Sequence, residues 1–232
     1  MTKRIFDIII TGDRSPTVRH PRFGETYHST HGAITESRHV FIEAGMKYFL
    51  TGFPETGELR IFEMGFGTGL NVLLTWSEAR RLPLQVHYTS IEKFPLETVD
   101  ELAGGLPPGM RDFFAAIHAA PWDRAVEVAP GFRLEKRLSD ITEWNWPTGG
   151  YDVIYYDAFS PRTQPGLWTP ALFEAMFEAL RPGGVWVTYV AKGQVRRDLQ
   201  AAGFEVERLP GPPGKREMLR AVKPLKPLNA NR

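Results

Sequence analysis

The sequence predicts an α/β fold in which helices cover both faces of a seven-stranded, mostly parallel sheet, preceded by an N-terminal annex. From Leu59 onward, short apolar runs alternate with helical segments, which is typical of parallel strands joined by crossover helices. A glycine-rich turn follows the first run, as in folds that bind nucleotide cofactors. The chain has 232 residues, 42% of them hydrophobic, which suits one domain, or one domain with a small annex.

The predicted elements follow one another in a regular order. The strands are residues 59–64, 86–91, 132–138, 151–156, 185–190, 204–209 and 216–222. The helices are residues 70–81, 170–180 and 195–202. Thr169 can cap the second helix and Pro170 fits its first turn, whereas residues 181–184 (Arg-Pro-Gly-Gly) end it. A Pro/Gly-rich turn at 210–214 joins the last two strands.

Residues 1–50 do not follow this order and form the predicted annex, with residues 51–232 as the main domain. The annex contains a predicted strand at 5–10, a turn at 11–13 and a helix at 37–48. Between them, the polar stretch 22–32 carries Tyr27, His28 and His31. We interpret the annex as lying over the mouth of the sheet. Packing of Phe23 and Tyr27 against the core explains these two aromatic residues equally well.

Composition excludes several kinds of site. The chain has no cysteine, which excludes disulfides, thiolate metal sites and a cysteine nucleophile, and its six histidines lack paired metal spacing, so we expect no metal. No signal peptide or membrane-spanning run is found, which predicts a cytoplasmic protein. Residues 192–232 hold ten Lys and Arg against four Asp and Glu. This surplus predicts a surface for phosphates, or simply a solvated helix and a basic tail.

The glycine-rich turn has the pattern E-x-G-x-G-x-G, formed by Glu63, Gly65, Gly67 and Gly69. Glycine permits the sharp turn after the strand, the approach of the backbone to a ligand, and the close start of the next helix. A dinucleotide fingerprint needs glycine where Leu70 stands. The pattern therefore favours S-adenosylmethionine as the cofactor, since the acid in such enzymes commonly faces the cationic end of the ligand.

Three further acids follow predicted strands, at the edge where open parallel sheets bind ligands. Glu92 is placed to accept hydrogen bonds from ribose hydroxyls, or to pair with Lys93 at the surface. Asp140 is placed for an adenine amino group, and as a helix N-cap it has the same sequence pattern. Asp157 is placed to orient or deprotonate a nitrogen nucleophile. Phe159 and Pro161 can form a stacking wall for a flat base, although a capped turn also explains this proline.

These motifs together resemble the methyltransferase domain of the MnmC family of bacterial tRNA-modifying proteins. The resemblance is carried by residues 16–17, 23–32, 62–71, 91–96, 157–161, 167–169 and 214–219. It implies a Rossmann-like class I methyltransferase fold. It also implies methylation of the 5-aminomethyl group of 2-thiouridine at the tRNA wobble position. The bifunctional family members continue into an FAD-dependent oxidoreductase domain, so this chain resembles a stand-alone form whose aminomethyl substrate comes from another route.

The resemblance also assigns residues to roles. Cofactor binding falls to Glu63, Gly65, Gly67, Gly69, Glu92, Asp140, Tyr27 and Ser29, with Tyr27, Ser29, His31 and Gly32 in a lid over methionine and substrate. Asp157 becomes the catalytic residue beside the amine. The basic residues Arg196, Arg197, Lys215 and Arg216 are candidates for tRNA phosphate contacts, or ordinary surface charges. Lys192 stands where many relatives have a small residue, and its role is open.

Three alternatives share the predicted fold. An aminopropyl transferase also has an acid after the fourth strand, but the cluster of acids that holds a polyamine is not seen in this sequence. A methyltransferase of a small metabolite is the second alternative. The third is a non-catalytic module that binds RNA, against which the intact Glu63, Glu92 and Asp157 argue.

Overall fold

The computed structural model describes residues 7–20, 23–96 and 100–225. Its strands are β1 (Asp7–Ile10), β2 (Pro16–Arg19), β3 (Glu58–Met64), β4 (Gln85–Glu92), β5 (Arg124–Ala129), β6 (Phe132–Leu138), β7 (Tyr151–Tyr156), β8 (Leu180–Thr188), β9 (Glu205–Pro210) and β10 (Glu217–Val222). Its α-helices are α1 (Ala33–Ser37), α2 (Tyr48–Gly52), α3 (Leu70–Ala79), α4 (Asp100–Ala103), α5 (Pro108–Ala119), α6 (Pro170–Ala179) and α7 (Gly193–Ala201). A π-helical segment, Arg38–Lys47, joins α1 to α2 in one continuous helix.

Within the described part of the chain, the central sheet has eight strands in the order β5-β6-β4-β3-β7-β8-β10-β9. Strands β6, β4, β3, β7 and β8 are parallel, whereas β5 at one edge and the β10–β9 hairpin at the other are antiparallel. The predicted mostly parallel α/β sheet is therefore confirmed, with one strand more than the seven expected. The additional strand is β5, a half-exposed edge strand whose apolar pattern is too weak to stand out in the sequence.

Strand β8 and helix α5 also differ from the sequence-based prediction. Strand β8 begins at Leu180, so the Arg-Pro-Gly-Gly segment predicted as a helix stop lies within the strand, and its pairing with β7 shifts register between Tyr151 and Val153. Helix α5 was not predicted, although Pro108 lies in its first turn and its apolar residues lie on one face. Local pattern places the cores of the elements better than their ends.

The N-terminal residues form a β1–β2 hairpin followed by the long helix from Ala33 to Gly52. The predicted strand at 5–10 is seen from Asp7 onward, and Ile5, Phe6 and Arg22 lie outside the described residues. The helix predicted at 37–48 is longer than expected at both ends, because its π-helical segment is continued by an α-helical turn on each side.

Helices cover both faces of the sheet, as expected. Successive residues of a strand point to opposite faces, and on β7 Val153 belongs to one buried cluster while Ile154 belongs to the other. The first cluster includes Phe41 of the π-helical segment and Leu73 of α3. The second includes Phe173 of α6, together with residues of α7. Among the described residues, no helix is both long and apolar enough to cross a bilayer.

The π-helical segment packs closely on the sheet through Gly45. A Cβ atom at this position lies 3.0 Å from Val187 Cγ2 and 3.1 Å from Tyr155 Cε1. Phe41, one turn earlier, packs its ring 5.3 Å from the ring of Tyr155. Glycine therefore sets the distance between the helix and the middle of the sheet, so the annex and the main domain share one core.

Replacing Gly45 with Val is expected to lower the free energy of unfolding by about 2 kcal/mol, because the added carbons must displace Val187 or Tyr155. Urea unfolding followed by circular dichroism measures the change. Gly52→Val is the matched control, since a Cβ at Gly52 meets nothing within 4 Å. An equal loss of stability in the two variants contradicts the packing role of Gly45.

Candidate active site

A cavity of about 270 Å³ opens at the carboxyl ends of β3, β4 and β7, where open parallel sheets bind their ligands. Its walls come from the annex, the glycine loop, and the segments that follow β4, β6, β7 and β8. The residues that line it include Tyr27, His28, Gly65, Gly67, Asn71, Glu92, Asp140, Ile141, Asp157, Phe159 and Tyr189.

The glycine loop has a backbone that other residues rarely adopt. Gly65, Gly67 and Gly69 have φ angles of 91°, 50° and 74°. A Cβ on Gly67 lies only 3.0 Å from Tyr27 Cδ1. The Gly67 N–H donates a hydrogen bond of 3.2 Å to Glu92 Oε2. The loop is therefore held between the annex on one side and the acid at the end of β4 on the other.

Glu92 and Asp140 both line the cavity, as the predicted ribose and adenine contacts require. Glu92 also accepts a hydrogen bond of 2.8 Å from the Phe94 N–H, and burial raises its pKa. Lys93 Nζ forms an ion pair of 2.5 Å with Asp140 Oδ2 rather than with Glu92. Asp140 caps the short helix Ile141–Glu143 by accepting a hydrogen bond from the Thr142 N–H, which is the capping alternative weighed above.

Glu63 is fully buried and does not line the cavity. Ser90 Oγ donates a hydrogen bond of 2.6 Å to its Oε2, while no group of the described residues forms a hydrogen bond with Oε1. Burial raises the pKa of Glu63 to about 8. Its neighbour Met64 lines the cavity instead. The acid predicted to face the cationic end of the ligand, directly or through water, is thus buried behind the cavity wall.

Asp157 lies on the cavity wall immediately after β7. Asn71 Nδ2 donates a hydrogen bond of 2.9 Å to its Oδ2. Burial, and then the negative charge of Glu36, raise the pKa of Asp157 to about 7. A carboxyl group with this pKa exchanges its proton near neutral pH, which suits a group that handles a proton during a reaction.

The annex covers the cavity with aromatic rings. Tyr27 and Phe23 lie 5.2 and 5.3 Å, between ring centroids, from Phe159 of the turn after β7. His20 stacks on Phe23 at 4.3 Å. His28 is buried beside them, and burial lowers its pKa to about 4, so this imidazole is neutral. The cover is therefore mainly aromatic, and His28 adds no charge to it.

The other predicted lid residues do not line the cavity. The Ser29 N–H donates a hydrogen bond of 2.6 Å to Glu36 Oε2, and Ser29 Oγ accepts one of 3.2 Å from the His31 N–H. The imidazole of His31 lies against Gly214, in the loop between β9 and β10. Both residues thus connect the cover to the rest of the protein, and neither contacts the cavity.

Of the four predicted basic residues, Lys215 and Arg216 line the same groove, whereas Arg196 and Arg197 lie on α7 and do not line it. Lys215 forms an ion pair with Glu36, and its Nζ lies 3.6 Å above the ring of Tyr189. Arg197 donates a hydrogen bond to Gln194 Oε1 on the surface of α7, and its neighbour Arg196 is partly buried. Pro161 and Arg216 line a second groove beside the cavity.

Three site residues were not predicted. Asn71 carried a detectable signal, because it is a polar residue in an apolar first turn directly after the glycine loop. Tyr189 follows β8 at the same edge of the sheet as the predicted acids, so the rule that found Asp157 applies to it too. Glu36 has no local signal, since it acts through contacts with distant residues. Among the described residues, no group of His, Asp or Glu side chains is arranged to hold a metal.

Known proteins resemble this chain in sequence. Residues 130–224 match the family model described as S-adenosyl-L-methionine-dependent methyltransferase. The tRNA 5-methylaminomethyl-2-thiouridine biosynthesis bifunctional protein MnmC of Cupriavidus necator is 35% identical over 219 residues, covering 85% of this chain and 32% of that protein. The protein of the same name from Pseudomonas savastanoi pv. phaseolicola is 33% identical over 229 residues, covering 92% and 34%. The chain spans about a third of the length of these curated relatives.

Solved structures also resemble it. MnmC2 from Aquifex aeolicus superimposes with a TM-score of 0.77 at 29% identity, covering 95% of this chain and 70% of that one. Spermidine synthase from Thermotoga maritima has a TM-score of 0.55 at 14% identity, covering 98% and 73%, and shares the fold alone. The fold is of the Rossmann-like class found in methyltransferases, and residues 130–224 match a family of S-adenosylmethionine-dependent methyltransferases. More particularly, the chain is similar over most of its length to MnmC proteins, which confirms the resemblance found in its motifs.

Proposed function

We propose that this protein transfers a methyl group from S-adenosylmethionine to the primary amine of a 5-aminomethyluridine at the wobble position of tRNA. The observation that carries the proposal is Asp157, a carboxyl group with a pKa of about 7 on the wall of the cavity that the glycine loop borders. The names of the MnmC relatives support a uridine of tRNA as the substrate. A tRNA substrate is consistent with the predicted cytoplasmic location of the protein.

The residues present fit the cofactor. Gly67 lets the backbone approach a ligand, and Glu92 offers a carboxylate beside that backbone for ribose hydroxyls. Asp140 and Ile141 line the same cavity, where an adenine needs a hydrogen-bond acceptor and an apolar contact. The unpaired Oε1 of Glu63 is a buried acceptor that favours positive charge nearby. When bound, the cofactor supplies an electrophilic methyl group.

The protein residues position the amine. Methyl transfer is an in-line displacement, so most of the catalysis comes from orientation. Asp157 accepts hydrogen bonds from the amine, so that the nitrogen lone pair faces the methyl group, and Asn71 fixes the carboxylate in this position. The amine must lose a proton before it attacks, either to Asp157 or to water. Residues 1–50, through Tyr27 and Phe23, act as a cover that excludes water from the cavity.

The proposal is tested by incubating the protein with methyl-labelled S-adenosylmethionine and total tRNA from a strain that lacks this methyl group. Nucleoside analysis should find the label in a 5-methylaminomethyl uridine, thiolated or not. Label in small molecules alone supports a metabolite methyltransferase instead. In a parallel assay supplied with decarboxylated S-adenosylmethionine, transfer of its aminopropyl group to an amine supports the aminopropyl alternative. Cofactor binding without any transfer supports a non-catalytic module.

Replacing Glu36 with Gln is expected to lower the pKa of Asp157, because the negative charge of Glu36 is one of the causes that raise it. Removing Glu36 also frees the positive charge of Lys215, which shifts that pKa in the same direction. The carboxyl carbon resonance of Asp157, assigned by its loss in Asp157→Asn, should titrate near pH 7 in the wild type and at lower pH in Glu36→Gln. Glu43→Gln, an exposed acid of the same helix, should leave the titration unchanged.

A further inference from the structure

A second groove, of about 380 Å³, lies beside the catalytic cavity. It is formed by the turn after β7, the segment after β8 and the start of β10. Its apolar floor comes from Pro161, Val190 and Ala191. Tyr189 lines both the groove and the cavity, so the two spaces share a wall. If one residue of a polymeric substrate occupies the cavity, the next residue of that polymer is therefore close enough to occupy this groove.

Four charged side chains line the groove, and two of them are already paired. Lys215 is bound to Glu36, and Glu217 lies 3.7 Å from Arg208. Lys192 and Arg216 are exposed and have no ion-pair partner within residues 7–20, 23–96 and 100–225. The groove thus combines an apolar floor with two uncommitted cations, which is the combination that binds a flat base together with the phosphates beside it.

We propose that the groove binds the nucleotide next to the target uridine in the RNA chain, with Lys192 and Arg216 on its phosphates. The proposal rests on the proposed function, since the reacting uridine must occupy the cavity. It gives Lys192 a role that the sequence left open. An acidic peptide offers the same charge, but it has no flat ring to cover Pro161 and Ala191, so the floor favours RNA.

The test uses a 17-nucleotide RNA stem-loop with a seven-nucleotide anticodon loop. In the double variant Lys192→Ala/Arg216→Ala, the affinity for this RNA is expected to fall about ten-fold. The slope of log K against log[salt] is expected to become less steep by about 1.4. With aminomethylated tRNA, KM should rise in parallel while kcat at saturation stays within about two-fold, because neither residue touches the amine. Arg81→Ala/Arg133→Ala removes the same charge from exposed residues at the opposite end of the sheet and is the matched control.

If RNA binding weakens equally in the control variant, the proposed role of the groove is wrong, since the overall charge alone then explains the loss. Unchanged binding in the Lys192/Arg216 variant overturns it as well, as does displacement of the RNA by polyglutamate at equal charge concentration. The proposed function fails in a different way, through the absence of methyl transfer to tRNA by the wild type. In that case the binding measurement still decides whether RNA occupies the groove.

Discussion

Replacing Asp157 with Asn is expected to lower kcat about 1000-fold while the affinity for S-adenosylmethionine changes less than about three-fold. The variant keeps the shape of the side chain, and Asn71 can still contact it. It loses the charge that attracts and orients an ammonium group and the oxygen that accepts a proton. Asp157 lies on the wall of the cavity after β7, where Asn71 holds its carboxylate, whereas Glu92 and Asp140, proposed for ribose and adenine, follow β4 and β6. Catalysis and cofactor binding should therefore separate.

Single-turnover kinetics and equilibrium dialysis with labelled cofactor measure the two quantities. Asp112→Asn, an exposed acid on α5, should change neither and serves as the control. Assays at rising pH divide the two roles of Asp157. If Asp157 accepts the proton, the variant should recover part of its rate once solvent deprotonates the amine. If it only orients the amine, the deficit should persist. If Asp157→Asn keeps a tenth of the rate, or loses affinity for the cofactor in parallel with its rate, the proposed catalytic role of Asp157 is wrong.

The sequence predicted the sheet because its central strands are continuous apolar runs. Strand β7 is buried at every residue, so it is recognised without any alternation. Strand β5, which alternates weakly at an exposed edge, lacked such a signal, whereas helix α5 has an apolar face and a proline in its first turn that the prediction missed. The π-helical segment was predicted only as a helix, because its packing on Tyr155 and Val187 is set by tertiary contacts.

The same physical limits apply to the site. Glu92, Asp140 and Asp157 could be predicted because the carboxyl ends of parallel strands meet at one edge of the sheet. Glu63 also lies at the carboxyl end of a parallel strand, β3. Because side chains alternate along this strand, Met64 lines the cavity and Glu63 is buried. The ion pair of Glu36 with Lys215 joins residues 179 positions apart, so no local spacing could predict it.

Gly67→Val is expected to weaken S-adenosylmethionine binding roughly 100-fold, a free-energy loss of about 2.7 kcal/mol. A β-branched residue is strained at a φ of 50°, and its Cβ lies 3.0 Å from Tyr27. Either the loop moves away from Glu92 or Tyr27 leaves the cavity. Equilibrium dialysis measures the affinity, and thermal unfolding checks that the variant folds. Gly57→Val, where a Cβ meets nothing within 4 Å, should bind the cofactor normally.

The two causes of this loss can be separated, because only one of them involves Tyr27. In Gly67→Ala the added methyl group contacts the ring, and removing the ring with Tyr27→Ala should restore part of the affinity lost on adding that methyl group. Backbone strain at Gly67 is independent of the ring and should persist in the double variant. Full additivity of the two changes means that the ring and the loop act separately. The annex would then cover the cavity without shaping the loop that holds the cofactor.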